Sequence, residues 1–138
     1  MADLTNFVYA EQANFDPSNG KSHIYAPLPI IVVKYLPTMY SFGVSFCISN
    51  INPDQTNNVE INFYDPSDNL LCPSSVTLPP YPENAEFDIP KELKAFTLSM
   101  MFNNVDIRVP GKYMTKISLN GVEEYLCPIT IIKANAHE

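Results

Sequence analysis

Cysteine and histidine are the residues of this sequence that could form a nucleophilic pair. Cys47 or Cys127 could be activated by His23, because an imidazole that accepts the thiol proton creates a reactive thiolate. The sequence contains neither the Gly-x-Ser-x-Gly elbow of hydrolases nor the cysteine signature of a known protease class. Cys47 alternates with Phe46 and Ile48 in a strand-like segment. We therefore interpret the cysteines as small packing residues and predict no catalytic residue.

Carboxylate and amide oxygens cluster at one predicted turn, Asp65-Pro66-Ser67-Asp68-Asn69. Such oxygens can bind calcium, but the EF-hand spacing is absent and the composition is typical of an ordinary turn. No Cys-x-x-Cys motif and no close pair of histidines indicates a zinc site. The four glycines are too dispersed for a phosphate-binding loop. We expect no metal and no cofactor.

A proline-rich segment is the strongest candidate binding site in the sequence. It combines a stiff backbone, an aromatic side chain and negative charge. Stiff segments lose little entropy on binding, and tyrosine is frequent at the centre of protein interfaces. We predict a protein-binding site formed by Pro79, Pro80, Tyr81, Pro82, Glu83 and Glu86. The alternative is a packed connection whose prolines only stiffen a long loop.

The charge of the chain restricts its partners. The 138 residues include 15 acidic and 8 basic side chains, which gives a formal net charge of -7. A chain of this charge is repelled by nucleic acid and by anionic membranes, so we expect neither as a partner. It favours encounters with a protein that has a basic surface. Because the carboxylates are spread along the chain, an acidic surface that only maintains solubility is the alternative.

Targeting signals are absent from the sequence. Residues 1–6 contain no basic or apolar run, so we expect no signal peptide. The longest apolar run, residues 27–33, is far shorter than the roughly 20 residues that cross a membrane. Cys47, Cys72 and Cys127 are odd in number and widely spaced, which indicates free thiols. We expect a cytoplasmic protein, in the host cytoplasm if a phage encodes it.

Alternation with a period of two predicts an all-β fold. Thirteen prolines nearly exclude long helices. Tyr40–Ser49 and Lys112–Leu119 alternate apolar and polar residues, as half-buried strands do. Asn120-Gly121 predicts a type I′ hairpin, because both central residues of that turn need positive φ. We predict one antiparallel β-sandwich over residues 1–138, immunoglobulin-like or jelly-roll-like, with about eight to ten short strands and little or no helix. Residues 73–90 would connect the sheets, and residues 134–138 would form a frayed tail.

Several segments give more specific expectations. Ile30–Tyr35 and Ile129–Ile132 do not alternate, which predicts strands that are covered on both faces. A second copy of the chain in a closed dimer would supply this cover, and the proline-rich connection is the alternative. Residues 6–11 read as a short first strand, and Asn103-Asn104 as a turn between two strands.

The order of several motifs resembles that of a known family. The motifs are Asn6-Phe7-Val8-Tyr9-Ala10-Glu11, Gly20-Lys21, Phe63-Tyr64-Asp65-Pro66, Pro110-Gly111-Lys112-Tyr113 and Leu119-Asn120-Gly121. Together they resemble a family of small proteins of Gram-positive bacteria and their phages whose function is unknown. The similarity spans residues 6–132. It implies a β-sandwich in a phage or mobile-element setting, and it transfers no catalytic residue.

These observations favour a non-enzymatic protein-binding module. The leading hypothesis is a phage or mobile-element accessory or inhibitor protein that occludes a host protein. One alternative is a structural component of a virion or another assembly. A second is a carbohydrate-binding or small hydrolase domain whose site the sequence does not reveal. The absence of a nucleophile–base motif separates the first two hypotheses from the third.

Overall fold

Two β-sheets make up the domain. The computed structural model describes residues 2–81, 89–90 and 93–135, and these residues form ten strands and essentially no helix. The strands are β1 (Asp3–Asp16), β2 (Lys21–Pro27), β3 (Ile31–Val33), β4 (Thr38–Ser49), β5 (Asn57–Tyr64), β6 (Leu70–Cys72), β7 (Ser75–Leu78), β8 (Ala95–Ile107), β9 (Gly111–Leu119) and β10 (Glu123–Lys133). The prediction of an all-β sandwich is confirmed.

The strand order places four strands in one sheet and six in the other. The four-stranded sheet has the order β2-β1-β4-β8. The six-stranded sheet has the order β3-β10-β9-β5-β6, and β7 pairs with β5 beside β6. All pairs are antiparallel except β3 with β10. Strand β8 is therefore an edge of one sheet, and β7 lies at an edge of the other.

The core between the sheets is built by the alternating residues that the sequence predicts. Phe42, Phe46 and Ile48 of β4 are fully buried, as is Ile117 of β9. Aromatic rings join the sheets, with centroids 4.9 Å apart for Phe42 and Phe63. Each buried aromatic or branched side chain contributes about 1.5–3 kcal/mol through removal from water. This apolar layer holds the two sheets together.

One buried polar bridge also crosses the core. The hydroxyl of Tyr9 on β1 donates to the backbone oxygen of Cys127 on β10 at 2.5 Å, and lies 2.7 Å from the hydroxyl of Thr115 on β9. Since the tyrosine proton is used at Cys127, Thr115 donates to the Tyr9 oxygen. Burial raises the pKa of Tyr9 well above its ordinary value. The bridge ties the N-terminal strand to the opposite sheet.

Strand β1 belongs to two layers. Its first part pairs with β4 as far as Ala10 opposite Gly43, and its second part pairs with β2 alone. A Cβ atom on Gly43 would lie 2.6 Å from the backbone nitrogen of Ala13, so the chain crosses closely over β4 at this glycine. The hydroxyl of Ser99 on β8 lies 2.8 Å from the hydroxyl of Ser22 on β2. The β1–β2 hairpin thus folds over the outer face of its own sheet.

Four boundaries differ from the predicted ones. Strand β1 is longer than residues 6–11, and Asn103-Asn104 lies inside β8 instead of ending it. Asn104 has φ 54°, and the register between β4 and β8 shifts here. Positive φ occurs in bulges as well as in turns. The prediction of positive φ at Asn103-Asn104 was therefore right, and the prediction that the strand ends there was wrong. Residues 75–78, predicted as connection, form β7.

The run Ile30–Tyr35 is also shorter as a strand than predicted. It contains the three-residue strand β3, an edge strand in which Ile31 and Val33 are buried and Val32 is 49% exposed. Ile132 on the adjacent β10 is 40% exposed and Ile30 is 41% exposed. Within the described residues, therefore, only one face of the run is covered. We call Ile30, Val32 and Ile132 the outer strip.

Among the described residues, no helix is long and apolar enough to cross a membrane.

Candidate functional site

The described part of the predicted binding segment lies at the end of β7. Pro79 and Pro80 are exposed, and Tyr81 is half-buried. The backbone N–H of Tyr81 donates to the oxygen of Pro53 at 2.7 Å. The Tyr81 ring contacts the Phe96 ring edge-on, with centroids 5.4 Å apart. Tyr81 is thus anchored within the chain, and the two prolines before it face solvent.

The other three residues of the predicted site, Pro82, Glu83 and Glu86, lie outside the described residues.

A groove of about 340 Å³ lies beside this segment. It runs between the edge strand β8 and the edge strand β7 of the opposite sheet. Apolar side chains make up most of its lining, including Phe15, Val76, Leu78, Phe96, Leu98 and Met100. Pro79 also lines it, so the structure brings one residue of the predicted site to the groove. No charged side chain is found among the described residues that line it.

The groove follows the edge of β8 and not one of its faces. It is lined by the consecutive residues 96–100, whose side chains alternate between the two faces of the sheet. A cavity that contacts residues of both faces must lie along the strand edge. The same holds for the consecutive residues 76–79 at the other wall. The groove therefore separates two strand edges, one from each sheet.

The hairpin over the four-stranded sheet supplies the outer wall. Phe15 lies near its tip, opposite Ser22 in the β1–β2 register, and is 44% exposed. The contact of Ser22 with Ser99 holds the hairpin against β8. Sequence reasoning missed Phe15. A glycine inside a strong strand was the available signal, because Gly43 marks the place where another backbone approaches closely.

Among the described residues, Lys94 is a cation close in sequence to the β8 wall of the groove. It precedes β8, and its ammonium group lies 5.5 Å from the centre of the Tyr81 ring. A lysine so placed is attracted electrostatically by the aromatic face. Lys94 therefore holds Tyr81 together with the Phe96 contact, at the start of the groove.

Within the described residues, the contacts of Cys47 are with polar side chains other than histidine. Cys47 contacts the amide of Asn6 at 4.0 Å and the hydroxyl of Thr97 at 3.6 Å, and these described contacts do not include His23. Burial raises the pKa of the Cys127 thiol to about 11. Burial also raises the pKa of Cys72. All three cysteines are free. A thiol whose pKa is raised is a poor nucleophile, so the raised pKa values of Cys72 and Cys127 support the packing interpretation for these two residues.

In the turn Asp65–Asn69, the oxygen of Asp65 that could bind calcium accepts hydrogen bonds from the turn itself. Asp65 accepts from the backbone nitrogens of Ser67 at 2.9 Å and Asn69 at 2.8 Å. Burial raises the pKa of Asp65, but the hydrogen bonds from Asn69 and Ser67 outweigh it and hold this pKa below its ordinary value. Asp68 pairs with Lys116 at 2.9 Å. Across the described residues no group of three or more potential ligands is placed to hold a metal ion.

Comparisons with solved structures return a β-glucosidase from Listeria innocua. Its complex with isofagomine superposes with a TM-score of 0.47 and 9% sequence identity, covering 95% of this chain and 16% of that chain. A second structure of the same enzyme gives a TM-score of 0.47 and 7% identity. The chain thus spans about 16% of the length of that enzyme. At this identity and TM-score the similarity gives no information about activity. A comparison with curated proteins finds no match.

Comparison with protein families gives a match over nearly the whole sandwich, from the start of β1 to the end of β10. Residues 5–132 match one family, which agrees with the span of the motifs singled out in the sequence. The chain therefore belongs to DUF6941, a family of unknown function.

Proposed function

We propose that this domain is a protein-binding module without enzymatic activity, and that the groove beside β8 is its binding site. One observation carries the proposal: an apolar groove of about 340 Å³ lies along a sheet edge that has no charged residue between Phe96 and Met100. Proteins normally protect an exposed edge with lysine, proline or a covering segment. Among the described residues, positions 96–100 of this edge carry neither lysine nor proline, and an apolar groove beside such an edge is a feature expected of a binding surface.

The charge distribution supports a basic partner. The chain carries a net charge of -7, whereas the described lining of the groove is uncharged. Long-range attraction would therefore bring a basic protein to the domain, and apolar contacts in the groove would hold it. Occlusion of the partner needs no turnover and therefore no nucleophile.

The setting we propose is that of a phage or mobile-element accessory protein acting on a host protein. Its support is the resemblance to small proteins of Gram-positive bacteria and their phages. In this setting the domain acts as a stoichiometric inhibitor in the host cytoplasm.

Two variants on the same hairpin test the groove. Phe15 and Ile24 are each 44% exposed, but only Phe15 lines the groove. The immobilised domain, Phe15→Asp and Ile24→Asp are each incubated with lysate of the native cells, and captured proteins are identified by mass spectrometry. The captured partner is then purified and titrated calorimetrically against the three proteins.

We expect a stoichiometric complex with the unaltered domain and with Ile24→Asp, and at least tenfold weaker binding by Phe15→Asp. Far-UV circular dichroism of each variant checks that the sandwich is intact. Equal binding by both variants would exclude the groove as the site, and turnover of a small substrate at the groove would contradict the non-enzymatic role.

A further inference from the structure

The edge of β8 that faces the groove presents backbone groups that the described chain does not pair. Strand β8 pairs with β4 on one side only. Within the described parts of the chain, no backbone–backbone hydrogen bond outside the ladders involves residues 96–100. In an antiparallel strand, every second residue directs both its N–H and its C=O to the same side. Residues 96–100 therefore offer a row of donors and acceptors along the groove.

The edge of β8 along the groove is long enough to pair with a short extended segment. Five residues of a strand span about 16 Å at 3.3 Å per residue, which is the length of edge that residues 96–100 expose. Side chains of an added strand would alternate as those of β8 do. One set would enter the apolar space beside Val76, Leu98 and Met100, and the other would lie beside Phe15 and Thr97.

We propose that the groove binds an extended peptide segment of a basic partner protein, which adds to β8 as a fifth strand of the four-stranded sheet. This inference rests on the proposed function and names the partner's chemistry: uncharged, alternately apolar residues in the groove, with lysine or arginine in the flanks. The apolar lining selects the first feature, and the net charge of -7 selects the second.

Two other occupants fit the groove less well. A second copy would present an identical recess, walled by its own hairpin and β7, and two concave surfaces cannot fill each other. An acyl chain would fill the apolar space but would leave the backbone donors and acceptors of β8 buried and unpaired, which is unfavourable. An extended peptide satisfies both the apolar lining and the backbone.

Strand addition has a distinctive test, because it depends on the backbone of the ligand. A display library of random ten-residue peptides is selected on the immobilised full chain, and the enriched peptides are synthesised. Each is also made in two N-methylated forms, with methyl groups on the odd or on the even residues of its central segment. Binding is measured by fluorescence anisotropy.

We expect enriched peptides with alternating apolar residues and basic flanks. One N-methylated form should bind at least tenfold more weakly, because its methyl groups replace the donors that face β8, and the other should bind within about twofold. Phe15→Asp should weaken peptide binding at least tenfold, and Ile24→Asp should leave it unchanged.

Strand addition would be overturned if no peptide is enriched or if both N-methylated forms bind equally. It would also be overturned if the groove binds a fluorescent fatty acid and no peptide. Peptide binding that Phe15→Asp does not affect would place the site elsewhere and would also overturn it. The proposed function is separable from these results. If Phe15→Asp still abolishes capture of the folded partner, the groove binds protein in another manner.

Discussion

The groove beside β8 and the outer strip are apolar regions that differ in shape and in charge among the described residues. The groove beside β8 is concave, walled on both sides and uncharged in its described lining. The outer strip on β3 and β10 is a sheet face, and Lys34 and Lys133 line a depression at its end. A recess accepts a narrow segment, whereas an open face accepts another face. We therefore expect the groove to bind a partner segment and the outer strip to bind a second copy.

Adjacent residues of β10 give the largest contrast. Ile131 is fully buried and Ile132 is 40% exposed on the outer strip. Ile131→Asp should prevent folding or cost more than about 4 kcal/mol, because it buries an unpaired carboxylate. Ile132→Asp should leave the free energy of unfolding within about 0.5 kcal/mol and should prevent the self-association that we expect of the outer strip. Urea unfolding and light scattering measure the two effects. A single-chain mass for the unaltered domain at micromolar concentration would exclude self-association.

A substitution at Gly43, which lies under the β1–β2 hairpin, should affect the groove and leave the outer strip unchanged. Gly43→Ala places a Cβ atom 2.6 Å from the backbone of Ala13, which must move away. We expect a loss of about 3 kcal/mol, near the upper end for overpacking. Groove binding should also be lost, because the hairpin carries Phe15, while self-association should persist. Met39→Ala, at a 62% exposed position on the same strand, is the control and should change neither. Groove binding that survives Gly43→Ala would show that the hairpin is not a wall of the site.

Loss of the polar bridge in the core should lower stability and should leave binding at the groove and at the outer strip unchanged. Tyr9→Phe leaves Thr115 and the Cys127 oxygen without the Tyr9 hydroxyl, which costs about 2 kcal/mol. Burial raises the pKa of Tyr9 above the ordinary value of 10.0, so its stabilisation is complete below pH 10 and is lost as the pH rises toward the folded-state pKa. Between about pH 9 and pH 11 the free energy of unfolding, measured from urea unfolding curves, should therefore fall less steeply with pH for Tyr9→Phe than for the unaltered domain. An unchanged slope would show that Tyr9 does not resist ionisation.

The thiols should have the smallest effect on binding at the two surfaces. Replacement of Cys47, Cys72 and Cys127 by serine should leave peptide binding and self-association unchanged, since none of the three is in the described groove lining or the outer strip. We expect a loss of about 1 kcal/mol for each thiol that is partly buried. Anisotropy and light scattering on the triple variant measure this. Loss of function in Cys47→Ser with an intact fold would reopen nucleophilic catalysis.

Local patterns predicted the strands well, because burial on one face imposes alternation. Strands β4 and β9 follow this rule, and Asn120 and Gly121 have φ of 51° and 71°, as the type I′ hairpin requires. The site was less predictable, because it depends on which strand lies at an edge. Nothing local to Phe96–Met100 specifies that β8 has one neighbour, and Phe15 reaches the groove only because its hairpin folds over the sheet.

The pairing of β3 has a consequence for synthesis of the chain. Its ladder partner is β10, where Ile31, Val32 and Val33 face Ile131, Ile132 and Lys133. During translation, about one hundred further residues must therefore be synthesised after this apolar segment before its native neighbour is available. Pairing between strands so distant in sequence is slow. During that interval Ile31–Val33 is an unpaired, β-prone segment within reach of other nascent chains. Translation speed and chaperone binding near residue 31 should thus control the yield of folded domain more than substitutions at either binding surface.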